Sequence, residues 1–186
     1  MSLIFAMVGT DHHPFHRLVD WMDEAARRHP DTRFVVQHGK SKAPTEAEGH
    51  AYLPHEQIRE LLAEADGAVV HGGPGTIMDA RAAGHVPICV PRDPALGEHV
   101  DGHQQRFAAL VGPAGVVAHV QSAEAFHGAV EAALAAGRAG RVRSMPESAA
   151  TEAARAHLAV ELDALLVPRP PFFRGRRSRL AELSEA

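Results

Sequence analysis

Short apolar runs alternate with amphipathic stretches along most of the chain. Residues 3–8 are apolar and run into Gly9-Thr10. From about Pro14 to Arg28, the apolar residues Phe15, Leu18, Val19 and Met22 recur at helical spacing. Pro14 sits near the first turn, where a missing N–H costs nothing. Residues 33–37 read as a second strand, closed by His38-Gly39, and the polar residues 40–50 read as an exposed loop. Ala51-Tyr52-Leu53 reads as a short strand. Pro54 to Ala65 reads as a helix with Ile58, Leu61 and Leu62 inward. Residues 67–71 form the next strand pattern, followed by Gly72-Gly73-Pro74-Gly75-Thr76 and a helix from Ile77 to Ala83 stopped by Gly84. A buried strand over 86–91, a long polar loop and a helix from about Val100 to Val111 come next. A strand over 116–120 and an Ala-rich helix from Ala123 to Ala136 complete the pattern.

This order of strands and helices predicts an α/β fold, a Rossmann-like parallel sheet with helices on both faces. Uniformly apolar strands fit a sheet covered on both sides. Residues 1–137 make up that unit. The composition then changes. Arg138, Arg141 and Arg143 form a basic link, residues 147–166 carry one amphipathic helix pattern, and 138–167 are assigned to linker and C-terminal helix. Residues 168–186 form a basic tail rich in Pro and Arg, with Phe172 and Phe173 adjacent. Such a tail is either a free terminus or a contact with a partner subunit or an anionic lipid surface.

Composition narrows the classes. The chain has 186 residues, a formal net charge of −4, one cysteine and 14 histidines. One cysteine, Cys89, excludes a disulfide framework and a cysteine-based zinc site, and its apolar neighbours make it a core residue. No apolar run reaches membrane-spanning length. Residues 1–8 lack a basic leader and read as a first strand rather than a signal peptide. The mildly acidic balance gives no nucleic-acid footprint. A soluble, cytoplasmic protein is expected.

The chemistry is expected at strand ends. His71-Gly72-Gly73-Pro74-Gly75-Thr76 lies between a strand and a helix. Glycines there admit a ligand close to the backbone, and free N–H groups with a positive dipole end suit a phosphate or diphosphate. Thr76 is expected to cap the helix. Asp79, one turn on, is placed to accept both hydroxyls of a ribose. The pattern is neither a P-loop, since no Gly-Lys-Ser/Thr follows, nor G-x-G-x-x-G. Gly9-Thr10-Asp11-His12-His13 forms a second such junction, and in a parallel sheet both fall on the ligand-binding edge.

A third stretch holds Arg92, Glu98, His99, Asp101, His103 and Gln104. His99 and His103 are four apart and invite a metal reading. H-E-x-x-H is absent, Gly102 interrupts a shared helix, and no third ligand stands in register, so no metal site is expected. His103 and Gln104 offer both donors and acceptors to sugar hydroxyls. His12, His13 and His16 are read as groups near a helix start that cap it or touch an anion. The absence of G-x-S-x-G argues against an esterase.

Three segments resemble the C-terminal, donor-binding domain of family 28 glycosyltransferases, over roughly residues 3–135. They are Val8-Gly9-Thr10…Pro14-Phe15…Arg17-Leu18, His71-Gly72-Gly73-Pro74-Gly75-Thr76…Asp79, and Pro91-Arg92…Glu98-His99…Asp101…His103-Gln104. The resemblance implies a single GT-B lobe. It points to the small subunits of two-component enzymes that make bacterial exopolysaccharide or add the second N-acetylglucosamine to dolichyl diphosphate. It implies that residues 71–76 hold the diphosphate, that Asp79 holds the ribose, and that Leu53 and Ile58 pack on uracil. His103 and Gln104 would bind the sugar, Gly9, Thr10 and His12 would face the diphosphate and the cleft, and Arg92, Glu98 and His99 are counted with them as substrate-binding residues. Two positions depart from the family pattern: Asp79 stands where Glu is usual, and Asp11 where short members often have His. His12 is the one residue of this chain put forward for catalysis; the base is otherwise assigned to a partner subunit.

The expected function is transfer of a sugar from a UDP-sugar to a lipid-linked or other hydroxyl acceptor, inverting and metal-independent, with no cofactor. The acceptor site is expected on a membrane-associated partner subunit, which would recruit this chain to the inner face of the membrane. The alternatives are a non-catalytic nucleotide-sugar-binding or regulatory module, and a metal-dependent hydrolase built on the histidines.

Overall fold

The computed structural model describes residues 1–141. Six strands, β1 (Ser2–Met7), β2 (Thr32–Gln37), β3 (Glu48–His50), β4 (Gly67–Val70), β5 (Ile88–Cys89) and β6 (Ala118–His119), form one sheet in the order β3-β2-β1-β4-β5-β6. Every neighbouring pair is parallel. Five α-helices accompany them: α1 (His16–Arg28), α2 (His55–Glu64), α3 (Pro74–Ala82), α4 (His103–Val111) and α5 (Ala123–Ala136).

Alternation along β1 builds two cores. Ile4, Ala6 and Val8 pack with Leu18, Val19 and Met22 of α1 and Phe126 and Val130 of α5. Leu3, Phe5 and Met7 pack on the other face with Leu62 of α2, Ile77 and Ala80 of α3, and Ala108 of α4. Because successive strand side chains point to opposite faces, a strand apolar at every position serves both layers. Among the described residues, no helix is long and apolar enough to cross a membrane.

The expected α/β architecture is present, with local differences. The third strand is Glu48–His50, inside the stretch expected as loop, and residues 51–53 are not a strand. It is an edge strand, held by parallel pairing to Val35–Gln37 and by the His38 N–H donated to His50 O at 2.8 Å. An edge strand needs backbone partners on one side only, so its polar side chains carry no strand signal. The strand expected over 86–91 contracts to Ile88–Cys89, bracketed by Pro87 and Pro91, which have no N–H to give. The strand over 116–120 likewise contracts to Ala118–His119. The expected Ala123–Ala136 helix is found with those bounds. Ser122 caps it, its hydroxyl accepting the Ala125 N–H at 3.2 Å. The amphipathic pattern over 147–166 and the basic tail lie outside the described residues.

Candidate functional site

The strand order reverses direction between β1 and β4. In open parallel sheets that switch point opens a crevice at the carboxyl ends of the strands. The loops that leave β1 and β4 are the two glycine-bearing junctions of the sequence, so the fold brings them side by side.

His71 links them. Its ring is buried between two glycines: a Cβ on Gly9 would lie 2.6 Å from His71 Cε1, and one on Gly73 would lie 2.4 Å from Nε2. Gly9 also has φ +83°, a backbone state that L side chains rarely adopt. The imidazole approaches Met7 O at 3.4 Å through Nδ1. A carbonyl only accepts, so the proton sits on Nδ1 and Nε2 keeps its lone pair. Burial, with the Arg92 charge nearby, pushes the His71 pKa down to about 4, and the ring is neutral at physiological pH.

Helix α3 begins at Pro74, not Ile77, with Gly73 as its N-cap. Proline at the first position loses no bond and presets the helical φ. Thr76 therefore lies within the first turn. It is not the cap, and its hydroxyl donates to Gly73 O at 3.1 Å. The first-turn N–H groups of Gly75 and Thr76 have no intrahelical acceptor and carry the positive dipole end. Gly75 faces open space, with nothing within 4 Å of where its Cβ would be. Gly72, at φ +91°, turns the chain against Pro91 and Gln104, whose Cβ would stand 3.2 Å from an added one. Asp79 follows one turn on, half-buried. Leu53 and Ile58 are half-buried against the core on the α2 side. Thr10 and His12 are exposed, the His12 side chain at 80 %.

Arg92 and Glu98, expected at the ligand, are instead buried and occupied. The Arg92 guanidinium is 1 % exposed. It donates to Val8 O at 2.7 Å, His13 O at 2.7 Å and Glu98 O at 2.9 Å, and lies over the Phe15 ring at 4.9 Å. Glu98 takes two bonds from Arg17, at 3.0 and 2.7 Å, and one from the Asp93 N–H at 2.8 Å. These groups tie the β1–α1 loop to the β5–α4 loop. Gln104 is buried too, its Oε1 accepting the Arg92 N–H at 3.3 Å.

The sequence reading missed two features here. Asp11 bonds His13 Nδ1 at 2.7 Å and lies 3.3 Å from His99 Nε2, bridging loops 88 residues apart in numbering by side-chain contact alone. Burial alone would raise its pKa, but the His13 N–H and imidazole, with the Arg92 and His99 charges, bring it down to about 2. Ser41 accepts the Phe15 N–H at 2.7 Å and fixes the start of α1. No spacing rule marks either one. Helix α4 starts at His103 with Gly102 as N-cap, so His99 and His103 share no helix face, as the interrupting glycine suggests.

The profile of the glycosyltransferase family 28 C-terminal domain matches residues 3–162. No curated protein matches the chain in sequence. Among the solved structures with a similar fold are two glycosyltransferases. The glycotransferase of kitacinnamycin is 20% identical, with 88% of this chain and 39% of that one aligned at TM-score 0.57. CalG4, the calicheamicin glycosyltransferase, is 22% identical, with 89% and 43% aligned at TM-score 0.60. The chain spans less than half the length of either.

Proposed function

Because the chain belongs to the glycosyltransferase family 28 C-terminal domain family, we propose that it is the donor-binding part of a glycosyltransferase and takes a UDP-sugar. One observation carries this reading: the open first turn of α3 stands beside the β1 loop at the switch point of the sheet, with Gly75 facing open space. Free N–H groups and the dipole end make this a place for a diphosphate.

In this reading the diphosphate lies over Gly73, Gly75 and Thr76, with Gly9 and Thr10 across the cleft. Asp79 accepts the ribose hydroxyls, and Leu53 and Ile58 back the uracil. His103 and the amide N–H groups left to Gln104 meet the sugar. Arg92 and Glu98 hold the loops and do not touch the donor.

The acceptor hydroxyl oxygen bonds the anomeric carbon while the bond from that carbon to the diphosphate oxygen breaks. Attack from the opposite face inverts the configuration. The electron pair leaves on UDP, where the α3 N–H groups stabilise the growing charge without a metal ion. The hydroxyl proton passes to a base on a membrane-associated partner subunit that also holds the lipid-linked acceptor. His12, exposed at the mouth, is this chain's own candidate for that proton.

Calorimetry with UDP in EDTA tests the reading. Binding is expected for UDP, weaker for GDP and TDP. Asp79→Ala removes a charged acceptor from two hydroxyls and is expected to weaken UDP about 10- to 100-fold. Absence of UDP binding at millimolar ligand would overturn it.

A further inference from the structure

Asp11 is the hub of the β1–α1 loop. Its Oδ1 accepts the backbone N–H of His13 and His13 Nδ1, both at 2.7 Å, and its Oδ2 lies 3.3 Å from His99 Nε2 on the β5–α4 loop. The carboxyl, with its pKa at about 2, is ionised at neutral pH. An ionised carboxylate only accepts, so each imidazole turns a protonated nitrogen toward it.

The two rings differ at their second nitrogen. His99 Nδ1 accepts the Asp101 N–H at 3.4 Å, so His99 is used on both sides. His13 Nε2, on the far side of its ring from Asp11, has no hydrogen-bond partner among the described residues, and the side chain is 22 % exposed. The backbone beneath it is fixed. The His13 carbonyl takes the Arg92 guanidinium, which also holds Val8 O at the end of β1. The loop stands beside the first turn of α3, close enough for the Asp11 charge to act on His71. The ring is thus held on one side and open on the other.

A neutral His13 has only a lone pair to offer at Nε2, and ionised phosphate oxygens also only accept. The two bond only once a proton is added. We propose that His13 binds the donor's diphosphate as an imidazolium, with Nε2–H directed to a phosphate oxygen and Asp11 as its counter-ion, so that a proton is taken up from solvent as the diphosphate binds. This role rests on the donor reading. Histidine is the side chain whose ordinary titration range makes such an uptake available near neutrality.

Charged neighbours on every side bear on that proton. Asp11, in direct contact with the ring, favours it. Arg92 opposes it, but bonds only the backbone carbonyl. His12, its ring 3.9 Å away, and His99, at 5.9 Å, oppose it when they are themselves charged. His103 stands edge-on behind His99 and bonds Asp101. Glu98 is taken up by Arg17, and His71 on the β4 side is neutral. Asp11 is the charge bonded to the ring itself, and Coulomb energy falls with distance. The same Nε2–H bond strengthens as negative charge grows on the departing diphosphate.

Full-length protein in EDTA is titrated with UDP by calorimetry at pH 7.5, once in HEPES and once in Tris. These buffers differ in ionisation enthalpy, so the difference in heat counts the protons taken up. About 0.5–1 proton per UDP is expected. His13→Gln, which cannot take up a proton, is expected to cut the uptake by at least half and to weaken UDP about 10-fold. The ionisation of UDP itself enters parent and variant alike. Asp11→Asn keeps an acceptor for His13 but removes the counter-charge, and is also expected to lower the uptake; it carries the comparison should His13→Gln not fold. His29→Gln, at the far end of α1, is expected to leave the count unchanged. UDP bound with no proton taken up, or an uptake unchanged in both loop variants, overturns the role of His13 and leaves the donor reading standing. No UDP binding at all overturns the donor reading and this role with it.

Discussion

The imidazole of His71 occupies the space that a side chain at Gly9 would need, 2.6 Å from ring to Cβ position. The two residues end adjacent strands, and their contact sets the distance between the two loops of the crevice.

Gly9→Ala is therefore expected to destabilise the protein by about 2–4 kcal/mol, combining backbone strain with overpacking. Urea denaturation measures it. Adding His71→Ala removes the clash but not the strain, so the double variant is expected to recover part of the loss. Additive losses would show that the contact is not the cause.

His71 also shapes the pH response. Its folded pKa, about 4, lies below the ordinary 6.5, so between those values the unfolded chain binds more protons. The neutral ring's contribution is present above pH 6.5 and is lost as pH falls toward 4. Thermal unfolding is expected to show Tm declining over that window. His71→Gln, which cannot take up a proton, is expected to flatten the decline.

Arg92 answers three carbonyls from two loops with one planar fork. Arg92→Met leaves these carbonyls without their donor and is expected to cost about 3 kcal/mol or more. Arg92→Lys keeps the charge, but a compact ammonium does not reproduce the fork, so little rescue is expected. Chemical denaturation of both variants checks this; a stable Arg92→Lys protein would mean that charge, not geometry, is what matters.

Asp23 on α1 is 5 % exposed and accepts the N–H groups of Thr45, Glu46 and Ala47 at 2.8–3.0 Å. Burial alone would raise its pKa; these bonds lower it below 3.8. The stability it supplies is present above pH 3.8 and is lost as pH falls through the lower folded value. Asp23→Ala is expected to cost about 1–2 kcal/mol at pH 7 by removing the carboxylate that accepts these part-buried N–H groups, and less as pH falls below its lowered folded value.

Cys89 offers a simple check on the core. Burial pushes its thiol up to about 12. A thiol reagent at pH 8 is expected to leave the native protein unmodified and to label it once denaturant unfolds it.

Much of the architecture was legible in the chain. Strands buried on both faces, such as Leu3–Val8, are apolar at every position, and helices such as α5 announce themselves by period and cap, because hydrophobic burial writes a local pattern. The glycine junctions at Gly9 and Gly72–Gly75 were legible for the same kind of reason: close approach demands residues without side chains. The edge strand Glu48–His50 was not, since one-sided backbone pairing asks nothing of its side chains.

The division of labour among polar residues was decided by the tertiary structure. Arg92 and Glu98 look like ligand-binding groups in the sequence, yet packing buries them against Val8, His13 and Arg17 from the opposite junction. Asp11 and His99 come within 3.3 Å only because the sheet order sets β1 and β5 on either side of β4. A contact between residues far apart in the chain depends on the folded geometry, and no periodicity records it. The sequence by itself determined where the loops are and which residues they carry; the fold determined which of those residues are left exposed at the strand ends and which are buried holding the loops in place.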